Sequence, residues 1–162
     1  MDIEEIVQRL NDESDRFEFG GLQKIRKEHL ELKKRPCRKP FRTISRDGTY
    51  AYHVGGHNEL QFNVGFDCYK DKEILRWGVA ISSQKTRSIL DVKILFPKLD
   101  KLNEFIQVHR DDHLNGFLMW HHHSSEGRSD NRSPEVVPRR LYADGVFIFL
   151  GKYEQVESAD LF

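Results

Sequence analysis

Leu60-Gln-Phe-Asn-Val-Gly-Phe-Asp-Cys-Tyr69, followed after a short polar run by Leu75-Arg-Trp-Gly-Val-Ala-Ile-Ser82, decides the fold class. In the first stretch Leu60, Phe62, Val64, Phe66 and Cys68 alternate with Gln61, Asn63, Gly65, Asp67 and Tyr69. In the second, Leu75, Trp77, Val79 and Ile81 alternate with Arg76, Gly78, Ala80 and Ser82. A period of two marks strands whose faces meet different surroundings. The polar Lys70-Asp71-Lys72-Glu73 between them is a turn, so the pair reads as an antiparallel hairpin. A shorter strand, Tyr50 to Val54, joins it through the turn Gly55-Gly56-His57-Asn58. Sharing a face with Leu75, Val79 and Ile81 makes Trp77 a core residue on this pattern.

On the N-terminal side the period becomes helical. Ile3, Ile6, Val7 and Leu10 define one amphipathic helix, broken by Gly20-Gly21. Leu22, Ile25, His29 and Leu32 line a second, which must end before Pro36 because the residue before a proline is pushed out of helical geometry. On the C-terminal side Pro97 suits the start of a helix with Leu99, Leu102, Phe105 and Ile106 on its inner face. A loop over 110–116, a strand from Phe117 to His123, a polar loop from Ser124 to Ser133 and a short helix around Pro138 to Ala143 follow. Val146-Phe-Ile-Phe-Leu150 is apolar on both faces, as in a central strand covered on both sides. The expected architecture is α+β: a mostly antiparallel, curled, open-barrel-like sheet with N-terminal helices and one or two helices packed on it. One domain is expected over 1–162, with a helical region at 1–35 and a sheet-containing core at 41–156.

No run approaches the roughly 18–20 apolar residues of a membrane span, and the start Met1-Asp-Ile-Glu-Glu5 is acidic, unlike a targeting peptide. Cys37 and Cys68 lack metal-type spacing and read as free thiols in a reducing, cytoplasmic setting. Basic and acidic residues number 26 each, which argues against a generic polyanion binder. The cancellation hides a segregation. Residues 1–19 carry Asp2, Glu4, Glu5, Asp12, Glu13, Asp15 and Glu18 against Arg9 and Arg16. From Lys24 to Arg46 come Lys24, Arg26, Lys27, Lys33, Lys34, Arg35, Arg38, Lys39, Arg42 and Arg46 against Glu28 and Glu31. A phosphate backbone responds to local field more than to net charge.

Three groups of residues could carry function. Lys33, Lys34, Arg35, Arg38, Lys39, Arg42 and Arg46, with Arg128 and Arg132 from the later loop, are candidate contacts to a DNA backbone; pairing of the stretch with the acidic first helix is the competing use of the same charges. Tyr50, Tyr52, Gln61, Asn63, Trp120 and His122 are candidate base readers, since amides bond base edges and aromatic rings stack on bases. His121 and His123 lie on one face of a strand and could begin a metal site, with His53, His57, Asp67 or Glu126 completing it. Histidines at a strand end also commonly bond to loops. No cofactor is implied: neither Gly-x-x-x-x-Gly-Lys nor Gly-x-Gly-x-x-Gly occurs. No histidine follows Asn131, as a His-Asn-His finger would need, and Asp67 lacks a Glu-x-Lys partner. Catalysis by this chain alone is therefore not expected.

The hairpin from Glu59-Leu-Gln-Phe-Asn-Val-Gly-Phe66 through Leu75–Ser82, together with Pro97 and its helix, Met119-Trp-His121 and Gly145-Val-Phe-Ile-Phe-Leu-Gly-Lys152, resembles the N-terminal DNA-recognition domains of modification-dependent (type IV, Mcr-type) restriction endonucleases. The resemblance covers roughly 41–153. It implies recognition of double-stranded DNA carrying a modified, for example methylated, base by base flipping, in an antiviral restriction system. It also implies a nuclease or motor module fused after Phe162 or associated with it. The site residues above come from residue chemistry and are not carried over from that family. Two other functions remain open at this point: a metal-dependent nuclease or hydrolase using His121 and His123, and an interaction module whose acidic first helix docks a partner.

Overall fold

The computed structural model describes residues 2–16, 41–43, 50–53, 60–69, 72–83 and 91–155. The chain divides into two compact units, one drawn from 1–56, 61–77 and 154–162, the other from 57–60 and 78–153. Each joins helix to antiparallel strands, so the α+β expectation holds. Among the described residues no helix is long and apolar enough to cross a membrane.

In the first unit helix α1 (Ile3–Arg16) starts on a reciprocal cap. The Glu5 N–H donates to Asp2 Oδ1 at 2.8 Å and the Asp2 N–H to Glu5 Oε2 at 2.9 Å, satisfying two donors that the first helical turn leaves over. Strands β1 (Phe41–Thr43), β2 (Tyr50–His53), β3 (Gln61–Tyr69) and β4 (Lys72–Ser82, through Trp77 in this unit) are successive neighbours. Ala51 faces Val64 across β2 and β3, and with Leu75 they bury Ile3 and Ile6 of α1. Burying each isoleucine contributes roughly 1.5–3 kcal/mol. Strand β1, too short to show a period, is held from the helix as well. Asn11 is 2% exposed; its Nδ2 donates to Phe41 O at 3.1 Å, and Phe41 N–H donates back to its Oδ1 at 2.9 Å. An asparagine amide thus pairs with backbone as a strand residue would.

The second unit orders the rest of β4, then β7 (Val146–Gln155), β5 (Leu118–His123) and β6 (Gly127–Arg128). Its helix α2 (Phe96–His109) has Pro97 in its first turn, as expected. A 3-10 turn at Val92–Leu95, capped by Asp91, precedes it. Leu99, Leu102 and Ile106 of α2 pack with Met119, Val146, Ile148 and Leu150. The other face of these strands buries Ala80, Trp120 and Phe149.

Four local expectations need correction. Trp77 is 36% exposed and belongs to no core cluster, because the α1 contact ends at Leu75 and period two fixes the face of a residue but not its depth. Phe105 is 44% exposed; it lies about 100° round the helix from Ile106 and its ring packs on His109 instead. The loop after His123 contains β6, turned by Gly127 at φ 79°, a conformation glycine adopts without a Cβ penalty. The short helix near 138–143 is one 3-10 turn, Arg139–Leu141. The expected second helix, with Leu22, Ile25, His29 and Leu32, lies outside the described residues.

Gly78 serves close approach. A Cβ there would meet the Leu150 carbonyl oxygen and the Gly151 backbone, which cannot swing away as a flexible side chain could. Gly78→Val is expected to destabilise the protein by about 1–3 kcal/mol, read as a lower urea midpoint at unchanged slope. An unchanged midpoint would show that the β4–β7 spacing is not tight.

Candidate functional site

Among the described residues, a close group of candidate side chains lies on the β5, β6 and β7 surface that carries Trp120. Antiparallel register sets His122 opposite both Phe147 and Arg128, and Trp120 opposite Phe149. Trp120 is 7% exposed and its ring lies 5.3 Å from Phe147 and 5.6 Å from Phe149. Its Nε1–H donates to the Tyr153 hydroxyl at 2.7 Å. The exposed Arg128 places its guanidinium carbon 4.1 Å from the Trp120 ring centre. The same guanidinium donates through Nη2 to Tyr153 Oη at 3.1 Å and to Asn131 Oδ1 at 3.3 Å. Trp120 is thus a platform already covered by an arginine, not an open stacking surface for a base. Arg128 is held by a cation–π contact and two hydrogen bonds.

Gln61 and Asn63 are each 3% exposed and turn to one another. Asn63 Nδ2 donates to Gln61 Oε1 at 3.3 Å, and Arg76 Nη1 donates to Asn63 Oδ1 at 2.5 Å. Arg76 is itself only 9% exposed. These amides accordingly help hold a buried guanidinium, which would be costly without acceptors. Polar residues opposite Val64 need not face solvent when they satisfy one another. Tyr52 pairs with Arg42 on one side and Asn63 on the other, and Tyr50 with Gly65. Register therefore brings four of the sequence candidates, Arg42, Tyr52, Asn63 and Tyr50, into adjacent rows of one sheet. Lys33, Lys34, Arg35, Arg38, Lys39 and Arg46 lie outside the described residues.

His121 and His123 share a face, opposite Ile148 and Val146. They join no group of three metal-capable donors among the described residues. His123 Nδ1 lies 2.6 Å from Ser125 Oγ, and the His121 N–H donates to Ser129 Oγ at 3.0 Å, so both are tied to the following turn. Arg132 pairs its backbone with Met119 and its guanidinium with Glu135 at 2.7 Å, an exposed ion pair of small energetic worth. An open groove of about 630 Å³ is lined by Asp100, Asn103, Glu104, Gln107, Val136, Val137, Pro138 and Arg139. Asp100, Asn103 and Arg139 are already engaged, Arg139 Nη2 lying 3.2 Å from Asp100 Oδ1. Asn103 bonds both backbone groups of Val137, and the Tyr142 hydroxyl donates to Asp100 at 2.8 Å. Burial and the Asp100 carboxylate push the Tyr142 phenol up to about 12, which keeps it a donor. The groove reads as a seam fixing the 136–142 segment to α2. Asn131 and Tyr153, which hold Arg128, carried no sequence signal; they lie 3 and 25 residues from it.

Burial disfavours the imidazolium of His121, and nearby Arg140 and Arg132 add to this against weaker opposition from Glu126 and Glu135, so its pKa falls below the ordinary 6.5. A depressed histidine contributes stability above the unfolded value and loses it as pH falls through the folded one. An NMR titration is expected to place the His121 midpoint below 6.5, and Arg140→Ala to move it upward. A midpoint at or above that value in the wild type would contradict the assignment. No family model, curated protein or solved structure matches this chain.

Proposed function

We propose that this chain is a nucleic-acid-binding module whose ligand is duplex DNA carrying a modified base, with Arg128 as a fixed phosphate contact. One observation carries the proposal: an exposed guanidinium held in a single orientation by Trp120, Tyr153 and Asn131. Guanidinium geometry matches phosphate oxygens, and a side chain already ordered loses less entropy on binding. The basic stretch ending at Arg46 supplies counterion release and affinity without sequence information. His122, beside Arg128 in register, is the candidate base contact within the same group. Preference for a modified base rests on the resemblance to type IV restriction domains, in which cutting belongs to a fused or associated module. The spacing of Cys37 and Cys68, which reads as two free thiols, supports a cytoplasmic location.

Titrating methylated, hydroxymethylated and plain duplexes at several salt concentrations tests this. Wild-type affinity is expected to fall steeply with salt and to favour a modified duplex. Arg128→Ala should weaken every duplex alike and reduce the salt slope by about 1, with secondary structure by circular dichroism intact. Negligible binding to all duplexes, or an unchanged slope in the folded variant, would sink the assignment.

A further inference from the structure

The end of α2 holds a second group of chemically able side chains, none of them among the residues assigned to nucleic acid. Helical geometry does not stop at His109: Arg110 keeps φ −55° and ψ −42°, and the Leu114 N–H donates to His109 O at 3.0 Å. The chain therefore curls so that His113, four residues on, comes back over His109, with ring centres 5.2 Å apart. Asp112 lies between them. Its Oδ1 is 3.8 Å from His109 Nδ1 and its Oδ2 is 3.7 Å from His113 Nε2. Across the trio, one donor atom from each residue lies within 4.8 Å of the other two.

We propose that His109, Asp112 and His113 bind a divalent transition-metal ion of the zinc, cobalt or nickel type. Several observations converge on it. Two imidazoles and a carboxylate are the donor types such ions take, at about 2.0–2.2 Å. Two bonds of that length span up to about 4.2 Å, so the 3.7 and 3.8 Å separations are already within reach of one shared ion. Asp112 and His113 are exposed and can close the remaining distance by side-chain rotation. His109 Nδ1 is buried and has no hydrogen-bond partner, which leaves a polar atom unsatisfied unless a ligand reaches it. The carbonyls ending α2 add partial negative charge, which favours a cation there. The backbone N–H of His113 donates to the Asp112 carboxylate and fixes it in the turn between the two imidazoles. Three protein donors leave coordination positions for water or a further ligand, and the ion would fasten the 110–114 turn to the helix.

The test uses the full chain and the metal ions alone. Calorimetry with Zn²⁺ and absorption spectroscopy with Co²⁺ are expected to show one bound equivalent without a thiolate charge-transfer band, which separates this site from Cys37 and Cys68. His113→Ala and Asp112→Asn, both at exposed positions, should each weaken binding at least about tenfold, while His121→Ala/His123→Ala leaves it intact. Absence of binding, a thiolate band, or undiminished affinity in His113→Ala and Asp112→Asn would overturn the proposal. DNA binding need not change in any of these variants, so this site and the nucleic-acid assignment fail separately.

Discussion

Phe149 and Leu150 are consecutive residues of β7, both essentially inaccessible to solvent, and they belong to different apolar layers. Side chains of a strand alternate, so a strand buried on both faces must be apolar at every position and must lie between other strands. Strand β7 meets both demands, with β4 and β5 as its neighbours. Much of the second unit follows from this. One face requires a cover, and α2 with its stripe of Leu99, Leu102 and Ile106 supplies it. The other face requires aromatic area, and Trp120, Phe147 and Tyr153 supply that around Phe149. Gly78 lets the neighbouring strand come close enough to bond, and Ser83 finishes the seam. Its backbone N–H donates to Val146 O at 2.7 Å, while its hydroxyl donates to Ala143 O at 2.5 Å and accepts from the Val146 N–H at 3.2 Å.

Each unit contains an arginine in an uncommon setting, and the contrast separates a structural role from a functional one. Arg76 is buried, where an uncompensated charge would cost several kcal/mol, and the amides of Asn63 and Gln61 are turned toward that problem. Removing Asn63 would take an acceptor from the buried guanidinium and the amide partner from Gln61 together, so the three side chains are coupled. Arg128 stands in water, where desolvation costs little, and its contacts confer orientation more than stability. Burial therefore moves the amide pair out of the class of base readers, and exposure keeps Arg128 among the residues able to meet a ligand.

Strong, long patterns in the sequence were readable, and short or distant ones were not. The β3–β4 hairpin, the Pro97 helix and the apolar β7 each show their period over many residues. Strands β1 and β6 contain three and two residues and have no period to show. Alternation revealed the face of Trp77 but not where the covering helix ends. Polarity marked Gln61 and Asn63 as candidate base readers, whereas Arg76, thirteen residues beyond Asn63, engages the Asn63 amide inside. Period two made His121 and His123 legible as a same-face pair, but not that both are tied to the following turn. The spacing of His109 and His113 suits a helical turn and brings their rings together, a geometry the eye passes over because the two are separated by unlike residues.

Trp120 and Arg128 were both legible as candidates, but the contact between them changes what each can do. For a base to stack on Trp120 it must displace the guanidinium, giving up a cation–π contact of roughly 0.5–2 kcal/mol and the bonds to Tyr153 and Asn131. Base stacking on an aromatic side chain returns roughly 1–3 kcal/mol, so that exchange is close to balanced. A phosphate approaching Arg128 from solvent gains a charge-assisted contact without breaking the stack beneath it. The second route leaves the contacts to Trp120, Tyr153 and Asn131 in place and adds one. On these magnitudes the tryptophan acts as a support, the arginine makes the contact, and base discrimination has to come from a neighbouring side chain such as His122.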